Sequence, residues 1–275
     1  MKTSPPLISI ITVVLNGAET LEKAIMSVLD QRFVDFEYII IDGGSVDGSV
    51  EIIKKYESRL SRWVSECDSG VYDAMNKAIA LTNGQWVYFL GADDQLLDGF
   101  KKASKYLKDE TTLYYGNVYR PVANRDYDGE FTAYKLACRN ICHQSIFYPR
   151  RVYDKYRYNL KYSGFADYEL NMRCFFDPGI NFQYIPVSVA IFSDAGGLSQ
   201  AKSDIDFEKD KLFLIKEMFP FWIYVLIFVR SMLLKIIVQL KFQRIFLKMY
   251  HSWLRSRSPV PIDESVDDKR NFHKK

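Results

Sequence analysis

Trp86-Val87-Tyr88-Phe89-Leu90-Gly91-Ala92-Asp93-Asp94 is an apolar run that stops on a glycine, an alanine and two carboxylates. Five successive apolar side chains, three of them aromatic, predict a strand buried on both faces, as in a parallel sheet covered by helices. The same pattern precedes it twice. Leu7 to Leu15 holds the β-branched run Ile8-Ser9-Ile10-Ile11-Thr12-Val13-Val14, and Phe36 to Ile41 ends at Asp42. Helical spacing lies between: Leu21, Ile25, Val28 and Leu29 mark a helix over 18–29, the turn Gly43-Gly44-Ser45-Val46-Asp47-Gly48 opens one reaching about Tyr56, and another covers about 72–81 after a short strand near 62–65. This alternation predicts an α/β fold with a doubly wound, mostly parallel sheet. In open sheets of that kind ligands bind beyond the carboxyl ends of the strands, and Asp42, Asp93 and Asp94 all sit at such ends.

The bulk properties bound the answer without naming it. A chain of 275 residues, 48% apolar and 26% charged, buries a substantial core. Its net charge of +3 is too small to argue for nucleic acid, and it is unevenly spread. Residues 218–258 hold seven Lys or Arg and no acid, which leaves −4 for the rest. Cys67, Cys138, Cys142 and Cys174 form no CxxC pair, so free thiols are expected and zinc is not. Lys2 before the apolar run 7–15 imitates a secretion signal, but Pro5-Pro6 and the absence of a small-residue cleavage site favour a first strand instead.

Each strand-end acid has a purely structural reading as a cap or turn residue. That reading suffices for Asp47 and competes evenly for Asp42, which precedes Gly-Gly. It serves Asp93-Asp94 less well, because adjacent carboxylates repel unless donors or a cation compensate. Oxygen ligands of this type select hard divalent ions such as Mg2+ or Mn2+, which bridge a few carboxylates to substrate phosphates. The GGSVDGS turn lacks the lysine of a P-loop and the register of a dinucleotide-binding loop, so NTPase and oxidoreductase readings fall away.

Taken in order, Val13-Val14-Leu15-Asn16, Ile40-Ile41-Asp42-Gly43-Gly44-Ser45 with Asp47-Gly48, Ser65-Glu66 through Asp68-Ser69-Gly70-Val71-Tyr72-Asp73-Ala74-Met75-Asn76-Lys77, Gly84 and Phe89 to Asp94 resemble the family 2 glycosyltransferases. The likeness covers roughly 7–200 and is nearest to the bacterial branch that builds exopolysaccharide, colanic-acid-like or O-antigen repeat units. It implies a GT-A fold, Rossmann-like and doubly wound, and an inverting transfer from a nucleotide-diphosphate sugar, UDP-sugars foremost. By this resemblance Asp42 recognises the base, Thr12 and Asn16 line the same pocket, Asp93 meets the ribose, and Asp94 holds Mg2+ or Mn2+ on the diphosphate. Gly91-Ala92 stands where Asn-Ser is more familiar. Asp73 and Asn76 help to shape the donor pocket.

Further along, Cys142-His143-Gln144-Ser145 matches the family's His-Gln element, and Ala166-Asp167-Tyr168-Glu169-Leu170 through Arg173 matches the segment with the catalytic base, implying Asp167 in that role. A base here takes the acceptor's hydroxyl proton as that oxygen attacks the anomeric carbon. Glu169 is the rival, and on a helix the two carboxylates point about 200° apart, so only one faces the cleft. Asp167 also has a bland reading as an N-cap after Gly164-Phe165, and His143 one as a structural imidazole. Gly196-Gly197-Leu198-Ser199 matches a loop that closes near the acceptor in relatives, though a plain turn looks the same.

The basic segment completes the plan. Phe219 to Val229 is an eleven-residue apolar run broken at Arg230, shorter than the roughly 20 residues of a spanning helix. At 100° per residue Arg230, Lys241, Arg244, Lys248 and Arg255 fall within about 60°, with Lys235 off the stripe and Trp253 among the apolar residues opposite. This predicts a C-terminal amphipathic helical, membrane-associating extension, peripheral on the cytoplasmic face of the inner membrane, with a core-facing or dimer helix as the plain alternative and a re-entrant or spanning hairpin over 219–240 as another. The expected organisation is a nucleotide-sugar-binding half over 1–118, an acceptor-binding half over 119–205, the helical segment over 206–258 and a disordered tail over 259–275. The expected partners are the donor, a lipid-linked or membrane-proximal glycan acceptor and the membrane surface. Two other functions compete: a non-catalytic sugar-nucleotide-binding scaffold, and a sugar-phosphate nucleotidyltransferase, which lacks a basic triphosphate loop here.

Overall fold

A computed structural model describes residues 4–32, 34–193 and 204–257, with side chains described up to 239 and at 248–249. The chain forms two compact units, Met1–Val225 and Leu226–Lys275.

In the first unit β1 (Ile8–Val14), α1 (Ala18–Leu29), β2 (Phe36–Asp42), α2 (Ser49–Lys55), β3 (Arg62–Ser65), α3 (Val71–Ile79) and β4 (Trp86–Gly91) follow the predicted alternation closely. α1 buries Leu21, Ala24, Ile25 and Val28, the i, i+3, i+4, i+7 face that its sequence writes out. Neither α1 nor α2 has a side-chain cap from its own N-cap residue. Asp47 serves both: Oδ2 accepts the Ala18 N–H at 2.9 Å and Oδ1 accepts the Ser49 N–H at 3.1 Å. The structural reading of Asp47 is the correct one.

β5 (Gln95–Leu96), α4 (Asp98–Ser104), β6 (Thr112–Arg120), β7 (Arg125–Tyr127), α5 (Ala133–Cys138), β8 (Ile146–Pro149), α6 (Val152–Lys155), α7 (Ala166–Phe176) and β9 (Asn181–Ile191) complete one sheet. Its order is β3-β2-β1-β4-β8-β6-β9-β5, with β7 on β6. β3, β2, β1 and β4 run parallel, as do β6 and β9, while β8, β5 and β7 are antiparallel to the strands they pair with. The fold is therefore α/β with a parallel-rich mixed sheet. Residue 118 lies inside β6, so the two expected halves share a strand.

The two long strands of the second half lack a period-2 pattern in the sequence. β6 is buried continuously from Thr112 to Val118, and β9 carries Pro186. Proline cannot donate to a ladder, and the β6–β9 register is irregular opposite it. Gly116 makes the crossing possible: a Cβ there would stand 2.6 Å from the Val187 carbonyl oxygen.

α8 (Ile205–Met218) starts from Asp204, whose carboxylate accepts the Phe207 N–H at 3.0 Å. α9 (Phe221–Arg257) is one unbroken helix. Its stretch Phe221–Gln239, 19 residues with mean hydropathy 2.1, is long and apolar enough to cross a membrane. The eleven-residue limit set by Arg230 in the sequence does not hold, because a single long basic side chain neither breaks a helix nor ends an apolar surface. Phe221, Trp222, Leu233, Leu234 and Ile237 are exposed, so the apolar residues are not confined to one stripe. The loop at 196–199 and the tail over 259–275 lie outside the described residues.

Candidate active site

The parallel register places Val14 beside Asp42 and Val13 beside Gly91, so the carboxyl ends of β2, β1 and β4 form one edge. Asp42 is fully buried there. Its Oδ2 accepts the N–H groups of Gly44 at 3.1 Å and Ser45 at 3.0 Å and the Ser65 hydroxyl at 2.7 Å. Oδ1 is buried with no hydrogen-bond partner among the described residues. A carboxylate oxygen in that state is open to a donor from a ligand or a water. Thr12 is buried two residues before the strand end, its Oγ1 3.0 Å from the Tyr38 hydroxyl. Burial drives the Tyr38 phenol far above its ordinary range, so the proton stays on. Asn16 adopts φ 52°, a left-handed conformation that asparagine tolerates. Its N–H donates to Ser45 Oγ at 2.7 Å and its Oδ1 accepts the Val46 N–H at 3.0 Å, which stitches the end of β1 to the loop around Asp42.

One strand along, Asp94 is 1% exposed and Asp93 half-buried. Asp94 Oδ1 accepts the Ser193 N–H at 2.8 Å and Oδ2 the Gln144 amide at 2.6 Å. Burial, and next the repulsion of Asp93, push its carboxyl up to about 6 against the pull of those donors. A Cβ on residue 91 would meet Asp94 Oδ2 at 2.4 Å and Asp93 Oδ1 at 2.9 Å. Gly91, the departure from the usual Asn, is thus what lets both carboxylates fold back over the strand end.

The turn His143–Ser145 joins this pair to the second half. Gln144 donates to Asp94, accepts the Cys142 thiol at 2.8 Å on Oε1, and accepts the Tyr88 hydroxyl on its carbonyl. Its neighbour His143 lies with Nδ1 3.7 Å from Asp167 Oδ2, too far for a hydrogen bond but within ionic reach. Asp167 is 5% exposed. The Tyr72 hydroxyl donates to its Oδ1 and the Asn140 amide to its Oδ2, both at 2.7 Å. Phe165 occupies the N-cap position of α7 without a side-chain cap, so Asp167 is already inside the helix and is not its N-cap. Glu169 points elsewhere, its buried carboxylate paired with the exposed Arg173 on the next turn. The four strand-end and helix residues Asp42, Asp93, Asp94 and Asp167 are accordingly tied together, through neighbouring strand ends on one side and the His143–Gln144 turn on the other.

Asp73 and Asn76 are occupied by the fold. Asp73 Oδ2 accepts the Ser69 N–H at 3.0 Å, which with Lys77 holds its carboxyl below the usual range and fixes the start of α3. Asn76 pairs with both backbone groups of Tyr158, at 2.9 and 3.0 Å. Sequence reasoning overlooked Asn140, Ser193 and Asp204. Asp204 Oδ2 accepts the N–H groups of Gly164 at 2.8 Å and Phe165 at 3.2 Å, so the residue that caps α8 also ties down the turn before Asp167. No local pattern announces these contacts, which span about forty residues or more in Asp204 and ninety-nine in Ser193. All four cysteines are free. A cavity of about 470 Å3 lined by Pro5, Gln85 and Arg150 opens at the opposite, amino-terminal ends of β1 and β4, away from these acids.

Among the described residues no three His, Cys, Asp or Glu side chains converge into a metal cage. The Asp93-Asp94 pair suits the other mode of divalent binding, in which one or two carboxylates share the ion with substrate phosphate and water.

Comparison with known proteins agrees with this geometry. Residues 9–177 match the family model for glycosyl transferase family 2. A PGL/p-HBAD biosynthesis glycosyltransferase of Mycobacterium bovis BCG is 37% identical over 213 residues, covering 74% of this chain and 83% of that protein. A putative teichuronic acid biosynthesis glycosyltransferase of Bacillus subtilis is 39% identical over 93 residues, 33% of this chain and 37% of that protein. Among solved structures, S. aureus TarS 1–349 with UDP-GlcNAc superposes with TM-score 0.60 at 15% identity over 77% of this chain and 65% of that one. A Pyrobaculum calidifontis mannosyltransferase with GDP-Man and Mn2+ gives 0.57 at 19%, over 70% of this chain and 59% of that one. Strand-end carboxylates on a GT-A sheet, a family model over most of the folded unit and a relative 37% identical over 74% of this chain converge: the chain is a glycosyltransferase enzyme of glycosyl transferase family 2.

Proposed function

We propose that this enzyme performs an inverting transfer of a sugar from a nucleotide diphosphate to a lipid-linked or membrane-proximal glycan acceptor in cell-surface polysaccharide synthesis. The observation that carries it is the His143–Gln144 turn, which contacts Asp94 through one residue and Asp167 through the next. An in-line displacement needs a donor site and a base on opposite sides of one reacting carbon, and the turn links the two carboxylates to which this reading gives those roles.

In this reading Asp42 Oδ1 accepts an N–H from the base, a uracil, thymine or guanine ring edge, while Thr12 and Asn16 shape the pocket around it. Asp93 meets the ribose, and Asp94 would hold Mg2+ or Mn2+ at the diphosphate. Asp73 and Asn76 shape the donor side by fixing α3. A bound divalent ion would neutralise charge growing on the departing diphosphate. Asp167 takes the proton of the acceptor hydroxyl as that oxygen bonds to the anomeric carbon, and the carbon–oxygen bond to the diphosphate breaks with its electron pair staying on the phosphate. UDP-sugars lead the donor candidates, since TarS binds UDP-GlcNAc, with GDP-sugars next. The acid-free basic stretch over 218–258 supports an enzyme seated on anionic lipid at the cytoplasmic face of the inner membrane.

Donor hydrolysis and transfer across UDP-, GDP- and dTDP-sugars, with and without Mn2+, test the reading. Asp167→Asn lowers kcat by about 10²- to 10⁴-fold. Asp94→Ala lowers it by on the order of 10²-fold or more with the melting transition retained. Full activity in either variant contradicts the role assigned to that residue, and nucleotide binding without turnover in the wild type would favour a scaffold.

A further inference from the structure

Asp167 stands at the end of a directed chain of hydrogen bonds. The Tyr148 hydroxyl donates to Asn171 Oδ1 at 2.7 Å, Asn171 Nδ2 donates to Asn140 Oδ1 at 2.8 Å, and Asn140 Nδ2 donates to Asp167 Oδ2 at 2.7 Å. Tyr148 and Asn171 are fully buried and Asn140 half-buried. Every link aims its donor toward the carboxylate. A proton on Oδ2 would face an N–H, and accommodating it would require both amides to turn over inside packed surroundings.

The other oxygen is placed differently. The Tyr72 hydroxyl lies 2.7 Å from Asp167 Oδ1 and 3.0 Å from the Gly164 carbonyl oxygen. It has one hydrogen for two acceptors. When Oδ1 carries a proton, rotation about the Tyr72 C–O bond moves that hydrogen to Gly164 and lets the phenol oxygen accept from the carboxylic acid. Burial keeps the phenol proton in place through the exchange. The Gly164 turn is itself held by Asp204, so the second acceptor stays in position.

Building on the assignment of Asp167 as base, we infer that Asn140 is a positioning residue that holds Oδ2 as a permanent acceptor, so that Oδ1, beside the adaptable Tyr72 hydroxyl, is the oxygen that takes the acceptor's proton. Proton count is conserved: the hydrogen leaves the acceptor hydroxyl for Oδ1, while those on Tyr72 and Asn140 change only their partners.

The experiment is a kinetic double-mutant cycle on the full chain, using the donor that the wild type hydrolyses fastest in the UDP, GDP and dTDP panel, with affinity for the matching nucleoside diphosphate measured beside it. Asn140→Ala and the uncharged isostere Asn140→Leu each lower kcat by about 10- to 100-fold, the scale of a displaced catalytic group. Nucleotide affinity stays within about twofold, and adding either change to Asp167→Asn lowers kcat no further, because both act on one group. The variant that keeps a cooperative melting transition is the one scored, and the isostere guards against loss of folding. Wild-type kcat in the Asn140 variants with Asp167→Asn inactive overturns this inference and leaves the base standing. Losses that multiply in the double variant also overturn it. Wild-type kcat in Asp167→Asn removes the base assignment and the inference together.

Discussion

Asp42 carries two unlike acceptors on one carboxylate. Oδ2 is saturated by Gly44, Ser45 and Ser65, and Oδ1 has no donor among the described residues. Asp42→Asn keeps an oxygen for the three donors and turns the ligand-facing position into a donor, opposed to the base N–H. Its affinity for UDP in calorimetry falls by about 10- to 100-fold with little change in melting temperature. Unchanged affinity would move base recognition elsewhere. Asp177 shows what an acid does where only stability is at stake. Lys155 Nζ at 2.6 Å, the Tyr156 hydroxyl at 2.7 Å and the Gly179 N–H hold its carboxyl down to about 2. The folded value lies below the unfolded value of about 3.9, so the stabilisation is complete above pH 4 and disappears as pH falls toward 2. Asp177→Asn therefore costs on the order of 1–2 kcal/mol at pH 7, discounted for the solvent around Lys155, and about nothing at pH 2. Melting temperatures of both proteins across that range check it, and a difference that persists at pH 2 would refute it.

Elements are where local pattern and tertiary demand part. β1, β2 and β4 were legible because each is a buried apolar run with an acid at its end, and α1 because its apolar residues repeat at helical spacing. β6 and β9 were not, since an aromatic run with Gly116 and a strand with Pro186 show no strand period until they are paired. The start of α7 is a tertiary matter as well. It has no cap of its own, and Asp204 satisfies the turn before it. Asp204→Ala removes the cap of α8 and these ties together, and lowers stability by about 1–2 kcal/mol. It also lowers kcat, because the Gly164 turn flanks the base. A melting temperature unchanged by this substitution would show that the contacts carry no weight.

At the scale of the whole molecule the proposed membrane contact divides the labour between a folded catalytic unit and a basic apolar helix. Replacing Lys241, Arg244, Lys248 and Arg255 with Gln removes roughly 1 kcal/mol of attraction per charge near an anionic surface. Cosedimentation with vesicles containing anionic phosphatidylglycerol drops more than about 100-fold in partition coefficient and becomes less sensitive to salt. Equal binding of the wild type to zwitterionic vesicles would instead point to insertion of the 19-residue apolar stretch as the whole of the attraction. Chelation by EDTA is a second whole-enzyme test: transfer is lost and returns with Mn2+ or Mg2+, and transfer unaffected by EDTA would discard the ion on the Asp93-Asp94 pair.

The sequence by itself determined the parallel half of the sheet, the carboxylates at its strand ends and the family, because burial periodicity and short motifs are properties of neighbouring residues. The resemblance to the family also marked the His-Gln turn and the Asp167 segment as stretches of interest. Only the tertiary structure decided that Asp167 faces Tyr72 and Asn140 while Glu169 is consumed by Arg173, that Asp94 is bonded by Gln144 and Ser193, and that Asp47 caps two helices. These are hydrogen bonds between residues distant along the chain. A buried polar atom must find its partner wherever the fold brings one, and nothing in the local order of residues encodes that meeting.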